Sequence, residues 1–396
     1  MGLPLVEARP LTRGVKLDWL SLVCMLGSKP IPLLRVGNCT FKANYVMERF
    51  HKSHSIVIIN LVFLLFISGC GKSIVADLPV SDNNAGYSAP VQQYVVSTII
   101  DHIPSPEGLT FDNQGNLYIA SSANATIQKM TISGLISTLI INRYFGTSAL
   151  ATPEGMTTDG QGNLYFTDPS NEVVGRIDPS GLLNTFAGDN SPGNADGKGG
   201  AAEFNSPSGI TIDSRGNLFI TDAGNSAIRK ITPAGRVTTI VSTSLLNNTG
   251  TKIGTLGLGR PEGIAIDNAG NLYVTDLDHA AILKISETGM VTTIAGGQAI
   301  GYKDGTGQSA QFNRPMGITI DPQGNLYIAD AANAAIRKIT VSGQVTTIAG
   351  GKTVGFADGI GGAAEFDSPE GITMDALGNI YVSDGCYGAI RKITIQ

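Results

Sequence analysis

One motif recurs six times in this chain and constrains its fold more than any other feature. The motif opens with Pro-x-Gly and an aliphatic residue, and successive prolines lie 47, 54, 54, 54 and 54 residues apart, at Pro106, Pro153, Pro207, Pro261, Pro315 and Pro369. Each copy holds four short runs rich in β-branched and aromatic residues, separated by Gly, Asp, Asn and Pro. Such runs predict strands, and no segment sustains a helical period.

Four strands per copy and six copies predict an all-β chain that forms a six-bladed β-propeller of four-stranded antiparallel blades. An open solenoid is the alternative. The sixth copy contains three of its strands before Gln396, and a segment that matches the fourth lies upstream of the first copy, at residues 94–100. We therefore expect this N-terminal strand to complete the last blade and close the ring, which removes exposed strand edges.

The repeated sequence resembles a known family over residues 94–396. Each copy approximates P-x-G-I-x-x-D-x-x-G-N-L-Y-[IV]-[AT]-D, followed by A-I-R-K-I and V-T-T-I-A-G-G, and this pattern is similar to NHL-repeat propellers. The Asn-His signature of that family is mostly absent, and only His279 retains its histidine. The resemblance implies the fold more strongly than a function, because propellers of this kind serve many roles.

Residues 47–70 predict a bacterial lipoprotein signal peptide. A short, positively charged segment precedes an apolar run at residues 55–68, which is short for a membrane span but suits a signal-peptide core. The end of the run and the two residues after it read Ile-Ser-Gly-Cys, at residues 67–70, which resembles a lipobox whose cysteine, Cys70, is lipidated. An uncleaved membrane anchor is the alternative.

This signal peptide sets the expected organisation of the chain. Residues 1–46 are interpreted as an extension from a misassigned start codon, because Met47 is a natural start. Residues 71–90 are interpreted as a flexible tether and residues 91–396 as the propeller. We expect a lipid-anchored protein of the cell envelope, on the outer membrane where the organism has two, because no Asp follows Cys70.

The two faces of the predicted propeller differ in sequence. One face carries short Asp-x-x-Gly-Asn turns that are nearly identical in every copy, and these are interpreted as structural. The other carries the crossings between blades, which vary and hold the candidate binding residues Tyr144, Phe145, Tyr302 and Phe356. Variable loops on a rigid scaffold commonly form binding sites. Three crossings contain Asp-Gly, but they lack the alternating carboxylates of a calcium loop, so a turn is favoured.

The residue after each repeat proline is expected at the mouth of the central channel. Four of these six residues are carboxylates, and they form the candidate mouth site, Glu107, Glu154, Glu262 and Glu370. Carboxylates around one axis repel each other unless a cation or water relieves them. The alternative is that each Glu caps its own loop. Lactonases similar to gluconolactonase, another six-bladed group, bind a divalent metal in the channel with Glu, Asn and Asp; no matching Asn and Asp can be placed here.

The sequence contains no recognisable catalytic or metal-ligand set. No cofactor is assigned, and a divalent cation bound at the channel mouth is kept as an alternative. Outside the targeting segment the only histidines are His102 and His279. A net charge of −5 argues against a nucleic-acid partner. We expect a monomeric, lipid-anchored binding scaffold that presents its loop face to an envelope protein or glycan. The alternatives are a metal-dependent hydrolase or lyase at the channel mouth and a structural role in an envelope assembly.

Overall fold

The computed structural model divides the chain into two compact units, Met1–Tyr87 and Ser88–Gln396. It describes residues 34–36, 39–41, 92–141, 144–145, 148–243, 257–351 and 353–396. In the first unit, a hairpin pairs Leu34–Val36 with Cys39–Phe41. The lipobox with Cys70 and the interpreted tether lie outside the described residues. Within the described ranges, no helix is long and apolar enough to cross a membrane.

The second unit is a six-bladed β-propeller, which confirms the predicted fold and excludes an open solenoid. The innermost strands are Pro106–Phe111, Met156–Thr158, Pro207–Ile212, Pro261–Ile266, Pro315–Ile320 and Pro369–Met374. The second strands are Leu117–Ser121, Leu164–Asp168, Leu218–Asp222, Leu272–Asp276, Leu326–Asp330 and Ile380–Asp384. The third strands are Thr126–Met130, Val173–Ile177, Ala227–Ile231, Ala281–Ile285, Ala335–Ile339 and Ala389–Ile395. The outermost strands of blades 1 to 5 are Ile136–Ile141, Leu183–Ala187, Arg236–Ser242, Val291–Gly296 and Gln344–Gly350.

Blade 6 takes its outermost strand from the N-terminal side of the propeller, as predicted. Tyr94–Ile100 pairs antiparallel with Ala389–Ile395, and Val96 lies opposite Ile393 in the ladder. Both of these side chains are buried. The two ends of the repeat region are therefore joined by backbone hydrogen bonds, and the ring has no open seam between its first and last strands.

Short elements in the crossings extend three of the blades beyond the expected four strands. The extra strands are Gly197–Lys198, Gly305–Thr306 and Gly359–Ile360, which pair with the outermost strands of blades 3, 5 and 6. Five one-turn 3-10 helices occur in the described residues, Gly199–Ala201, Ala223–Asn225, Gly307–Ser309, Ala331–Asn333 and Gly361–Ala363. In the crossing after blade 1, Tyr144–Phe145 pairs with Ser148–Ala149. These elements are two or three residues long, too short to leave a periodic signal in the sequence.

An apolar side chain three residues before each repeat proline fills the gap between neighbouring blades. All six are almost fully buried, namely Ile103, Leu150, Phe204, Leu258, Phe312 and Phe366.

In the Asp-x-x-Gly-Asn turns of the face with short turns, the aspartate accepts hydrogen bonds from backbone amides of its own turn. For example, Asp112 accepts hydrogen bonds from the Gln114 and Asn116 amides at 3.0 and 2.8 Å. The turns are thus structural, as interpreted, and the channel mouth lies on the other face.

Candidate functional site

Glycines of the Pro-x-Gly motif hold the six innermost strands close together around the channel. A Cβ atom at Gly108 would overlap the carbonyl oxygen of Glu154, and one at Gly263 would overlap that of Met316. The same close approach recurs at the other four glycines, Gly155, Gly209, Gly317 and Gly371. Each of these carbonyls belongs to a mouth residue of the next blade. The motif therefore requires glycine here because the backbones of neighbouring innermost strands are in contact. This contact fixes the backbone positions of the mouth residues.

The channel mouth opens into a cavity of about 610 Å³. Its lining includes all six residues that follow the repeat prolines, Glu107, Glu154, Ser208, Glu262, Met316 and Glu370. Loops of the variable face complete the wall with Pro169, Ser170, Ala223 and Leu277. The structure thus brings the four predicted glutamates together around one cavity. A second cavity of about 610 Å³ lies at the junction of blades 6 and 1, and its lining shares Glu107 and Glu370.

The carboxyl groups of Glu107 and Glu370 lie close enough at this junction to hydrogen-bond to each other. Such a bond requires a proton on one of the two groups. Burial, together with the hydrogen bond and the charge of Glu370, raises the pKa of Glu107 to about 9. The Ser122 hydroxyl donates to Glu107 Oε1 at 2.9 Å, and the Ser368 hydroxyl donates to Glu370 Oε1 at 3.1 Å. A proton retained on Glu107 would relieve the repulsion expected between these two carboxyl groups.

Ser208 links the other two glutamates of the mouth. Burial and the nearby charge of Glu262 raise the pKa of Glu154 to about 7, while a hydrogen bond with Ser208 opposes the rise. Burial also raises the pKa of Glu262, against the opposing effects of Ser208 and Arg260. Arg260 Nε lies 2.7 Å from Glu262 Oε1. The mouth therefore contains one carboxyl that is neutral at pH 7, one that titrates near it, and one paired with arginine.

Arg260 and Arg314 are site residues that the sequence analysis missed. Both precede a repeat proline, where the other copies have Ser or Thr, and both line the cavity. This departure from the repeat is the signal that could have identified them. Arg314 adopts a left-handed backbone with φ 54°, and its carbonyl accepts a hydrogen bond from the Ala331 amide at 3.1 Å. Its side chain projects from a fixed backbone position at the rim.

Two of the aromatic candidates on the crossings, Tyr302 and Phe356, each pack one ring face against a buried arginine. The guanidinium of Arg337 lies over the Tyr302 ring at 5.3 Å, and that of Arg391 lies over the Phe356 ring at 4.8 Å. Phe356 also stacks on Tyr387 at 4.9 Å. Tyr302 and Phe356 are 46% and 41% exposed, so part of each ring stays open to solvent. Neither lines the mouth cavity, and the side chains of Tyr144 and Phe145 lie outside the described part.

Buried arginines of the third strands explain the Asp-Gly sequences in three crossings. Arg391 is fully buried and contacts Asp384 at 3.0 Å and Asp358 at 3.0 Å. Arg229 and Arg337 make the matching contacts in blades 3 and 5, to Asp222 with Asp196 and to Asp330 with Asp304. The crossing carboxylates thus neutralise an arginine, in agreement with the turn interpretation and against calcium loops.

In the described part of the chain, no histidine lines the main cavity. Within that part of the chain, no group of three or more His, Cys, Asp and Glu residues is arranged to hold a metal ion. His279 Nδ1 lies 2.9 Å from Asp276 Oδ2, and His102 Nδ1 lies 2.9 Å from Asp101 Oδ1. His102 lines only the second cavity, and His279 lines neither. The main cavity therefore presents carboxyl, hydroxyl and guanidinium groups to a ligand.

Comparison with known proteins supports the resemblance at the level of the repeat. The family model "NHL repeat" matches residues 204–231. This segment spans the junction into blade 3 and that blade's first three strands. The chain is 33% identical over 118 residues to "NHL repeat-containing protein 2" of Gallus gallus, which covers 30% of this chain and 16% of that protein. It is 26% identical over 213 residues to "Protein SUPPRESSOR OF QUENCHING 1, chloroplastic" of Arabidopsis thaliana, covering 50% and 20%. The chain thus spans one fifth or less of these relatives.

Solved structures similar to this chain share its fold. An auxiliary nutrient binding protein from Bacteroides ovatus matches with a TM-score of 0.60 and 16% identity over 77% of each chain. A gluconolactonase from Xanthomonas campestris matches with a TM-score of 0.53 and 15% identity, covering 76% of this chain and 89% of that one. A streptogramin B lyase matches with a TM-score of 0.51 and 16% identity, covering 77% and 98%. Binding proteins and enzymes therefore both occur on this architecture.

Proposed function

We propose that this protein is a non-enzymatic binding protein of the bacterial envelope, and that it binds a glycan or a similarly polar small molecule at the channel mouth. The observation that carries this proposal is the cavity of about 610 Å³ that opens on the face with variable crossings. Its size is in the range of small-molecule sites, and its polar groups converge on one space. A concave polar cavity fits a glycan better than a protein surface.

The envelope location in this proposal comes from the lipobox at Cys70. Similar folds add support, since one neighbour is described as an auxiliary nutrient binding protein. Replacing Cys70→Ala should release the protein from the membrane fraction and abolish incorporation of labelled palmitate. Retention of both label and membrane association in that variant would contradict the lipid anchor.

Filling the cavity tests where the ligand binds. Met316 lines the mouth, and no hydrogen bond or ion pair depends on its side chain in the described residues, so Met316→Trp adds bulk without removing a charge. Leu377 lies in an Asp-x-x-Gly-Asn turn on the other face and is 89% exposed, so Leu377→Trp is the matched control. In thermal melts with a panel of sugars, we expect M316W to abolish a stabilisation that L377W retains. Equal stabilisation in both would place the site elsewhere.

A hydrolase or lyase at the same mouth is the second candidate. It is favoured by Glu154, because a carboxyl with a pKa of about 7 suits general acid–base chemistry at neutral pH. Thermal melts with Ca²⁺, Mg²⁺ or Zn²⁺ against EDTA test its metal-dependent form, because a site filled to a hundred times its dissociation constant adds about 2.7 kcal/mol. A metal-induced shift that disappears in Glu154→Gln would favour the enzyme. The absence of a shift with all three metals favours the binding protein.

A further inference from the structure

The rim of the channel mouth carries unlike groups on its two sides. Arg260 and Arg314 stand on blades 4 and 5, and the carboxyl groups of Glu107, Glu154 and Glu370 stand on blades 1, 2 and 6. We propose that the mouth binds a sugar acid, with its carboxylate held by the two arginines and its hydroxyl groups by the glutamates. This inference rests on the proposed function and names the ligand class of the same site.

Arg314 is the group best placed to bind a carboxylate. In the described residues, no carboxylate lies within ion-pair distance of its guanidinium, and the side chain is exposed at the cavity. The left-handed backbone at Arg314 is uncommon for a residue with a side chain. It recurs at the matching Ser105, Ser206 and Ser368, so the repeat fixes this conformation. A guanidinium presents paired N–H donors that match the two oxygens of a carboxylate.

Arg260, on the neighbouring blade, is the second arginine that can donate hydrogen bonds to the carboxylate of a ligand. Its Nε engages Glu262, which neutralises that glutamate locally. In the described part of the chain, its terminal amino groups have no hydrogen-bond partner, so they remain able to donate to a ligand. Arg314 also lowers the pKa of Glu262 through its charge, so this side of the rim holds two guanidinium groups and one carboxylate, which leaves a net positive charge there. A neutral ligand would leave that charge unused, whereas an anionic ligand would pair with it.

The opposite side of the mouth is suited to hydroxyl groups. With its pKa raised to about 9, Glu107 offers a carboxyl O–H donor, and Glu370 beside it offers acceptor oxygens. Ser122 and Ser368 extend this pair and hold both carboxyls in place. A sugar hydroxyl both donates and accepts, and can therefore bond to either member of the pair. A ligand with its carboxylate at one end and hydroxyls at the other satisfies both sides.

Isothermal titration of the full chain in detergent with D-glucuronate and D-glucose tests this inference, because the two sugars differ only at C6, which is a carboxylate in glucuronate and a hydroxymethyl group in glucose. We expect tighter binding of glucuronate, and we expect Arg314→Gln to weaken it about tenfold or more while it weakens glucose binding by much less. Arg314→Lys keeps the charge but loses the paired donors and should fall between. Arg215→Gln, an exposed arginine on the other face, is the matched control and should bind like the unmodified protein.

The outcomes separate the inference from the proposed function. Equal affinity for glucose and glucuronate, unchanged in Arg314→Gln, would overturn the sugar-acid inference and leave the mouth as a glycan site. L-alanine binding as tightly as glucuronate would overturn the role assigned to the hydroxyl groups. No binding of glucuronate, glucose or alanine would overturn both the inference and the small-molecule site. Unchanged melting of each unliganded variant shows that the loss is not caused by unfolding.

Discussion

The carboxylate of Asp358 accepts two hydrogen bonds from Thr98, a residue 260 positions away in the chain, from the backbone amide at 3.0 Å and from the hydroxyl at 2.9 Å. The same carboxylate contacts Arg391 of the neighbouring strand at 3.0 Å. Asp358 therefore joins the crossing into blade 6 to both strands that close the ring. In blade 5, Asp304 makes the matching bonds to Thr347, only 43 residues away.

Replacing Asp358→Ala should loosen the closure strand. The variant loses two hydrogen bonds to Thr98 and leaves Arg391 with one carboxylate fewer, so we expect a loss of about 1–3 kcal/mol. Asp304→Ala removes the same contacts within a blade whose strands are continuous in sequence, and it should lose a similar amount. Amide hydrogen exchange distinguishes them: faster exchange over Tyr94–Ile100 is expected in D358A alone. Equal protection of that strand in both variants would show that Asp358 has no special part in closure.

Because the motif glycines contact the neighbouring backbone around the channel, adding a single methyl group at one of them should strongly lower the stability of the propeller. In Gly263→Ala the new Cβ would overlap the Met316 carbonyl, so the innermost strands of blades 4 and 5 must move apart, which we expect to cost at least about 2 kcal/mol. Gly160 is the control, because a Cβ there would meet only the Asn113 side chain at 4.0 Å. Urea denaturation of the two variants measures the difference. A G263A protein as stable as G160A would show that the channel is more loosely packed than the structure indicates.

The sequence predicted the elements that repeat and missed the contacts between elements. The closure strand and the mouth glutamates each occupy a fixed place in the repeat, so their positions followed from the pattern. Arg391 was missed because a charged residue in a strand suggests a solvent face, whereas its partner Asp358 lies 33 residues upstream in a crossing. Arg314 was missed because it replaces serine at a position that carries no signal in the other copies. Two residues that become partners only through folding have no fixed spacing in the sequence, so a repeat pattern cannot predict their contact.

Blade 5 lacks a hydrogen bond that four other junctions between blades contain. In blades 2, 3 and 4, a threonine of the second strand donates to the carbonyl of the next mouth residue, as Thr275 does to Met316 at 2.6 Å. Ser383 does the same to Glu107 at 2.7 Å. The matching residue of blade 5 is the buried Ala329. The mouth residue of the next blade is Glu370, and its carbonyl lies against Gly317, just as the carbonyls of the other mouth residues lie against the motif glycine of the preceding blade.

Ala329→Ser should therefore stabilise the protein. The added hydroxyl is placed to donate to the Glu370 carbonyl, and we expect a gain of about 1 kcal/mol, visible as a higher melting temperature. The reverse change, Thr275→Ala, should lose a similar amount or more because it also removes the acceptor of the Gly263 amide. A lower melting temperature for A329S would indicate that this junction has no room for the oxygen.

Glu107 predicts how the stability of the propeller changes with pH. Its pKa rises from 4.5 to about 9 in the folded protein, mainly because of burial. Between these values the folded state retains a proton that the unfolded state has released, so the free energy of unfolding falls as pH rises from about 5 to 9. Below pH 4.5 both states are protonated and this contribution is fully present.

Glu107→Gln removes this titration while keeping a side chain that can hydrogen-bond Ser122 and Glu370. We expect the variant to lose less stability than the unmodified protein between pH 5 and 9, with a difference on the order of a few kcal/mol at the upper end. Denaturant midpoints at several pH values measure it. Glu287→Gln is the control, because Glu287 is an exposed carboxylate, with a side chain 69% accessible to solvent. Parallel pH profiles for E107Q and the unmodified protein would show that Glu107 is already ionised at neutral pH.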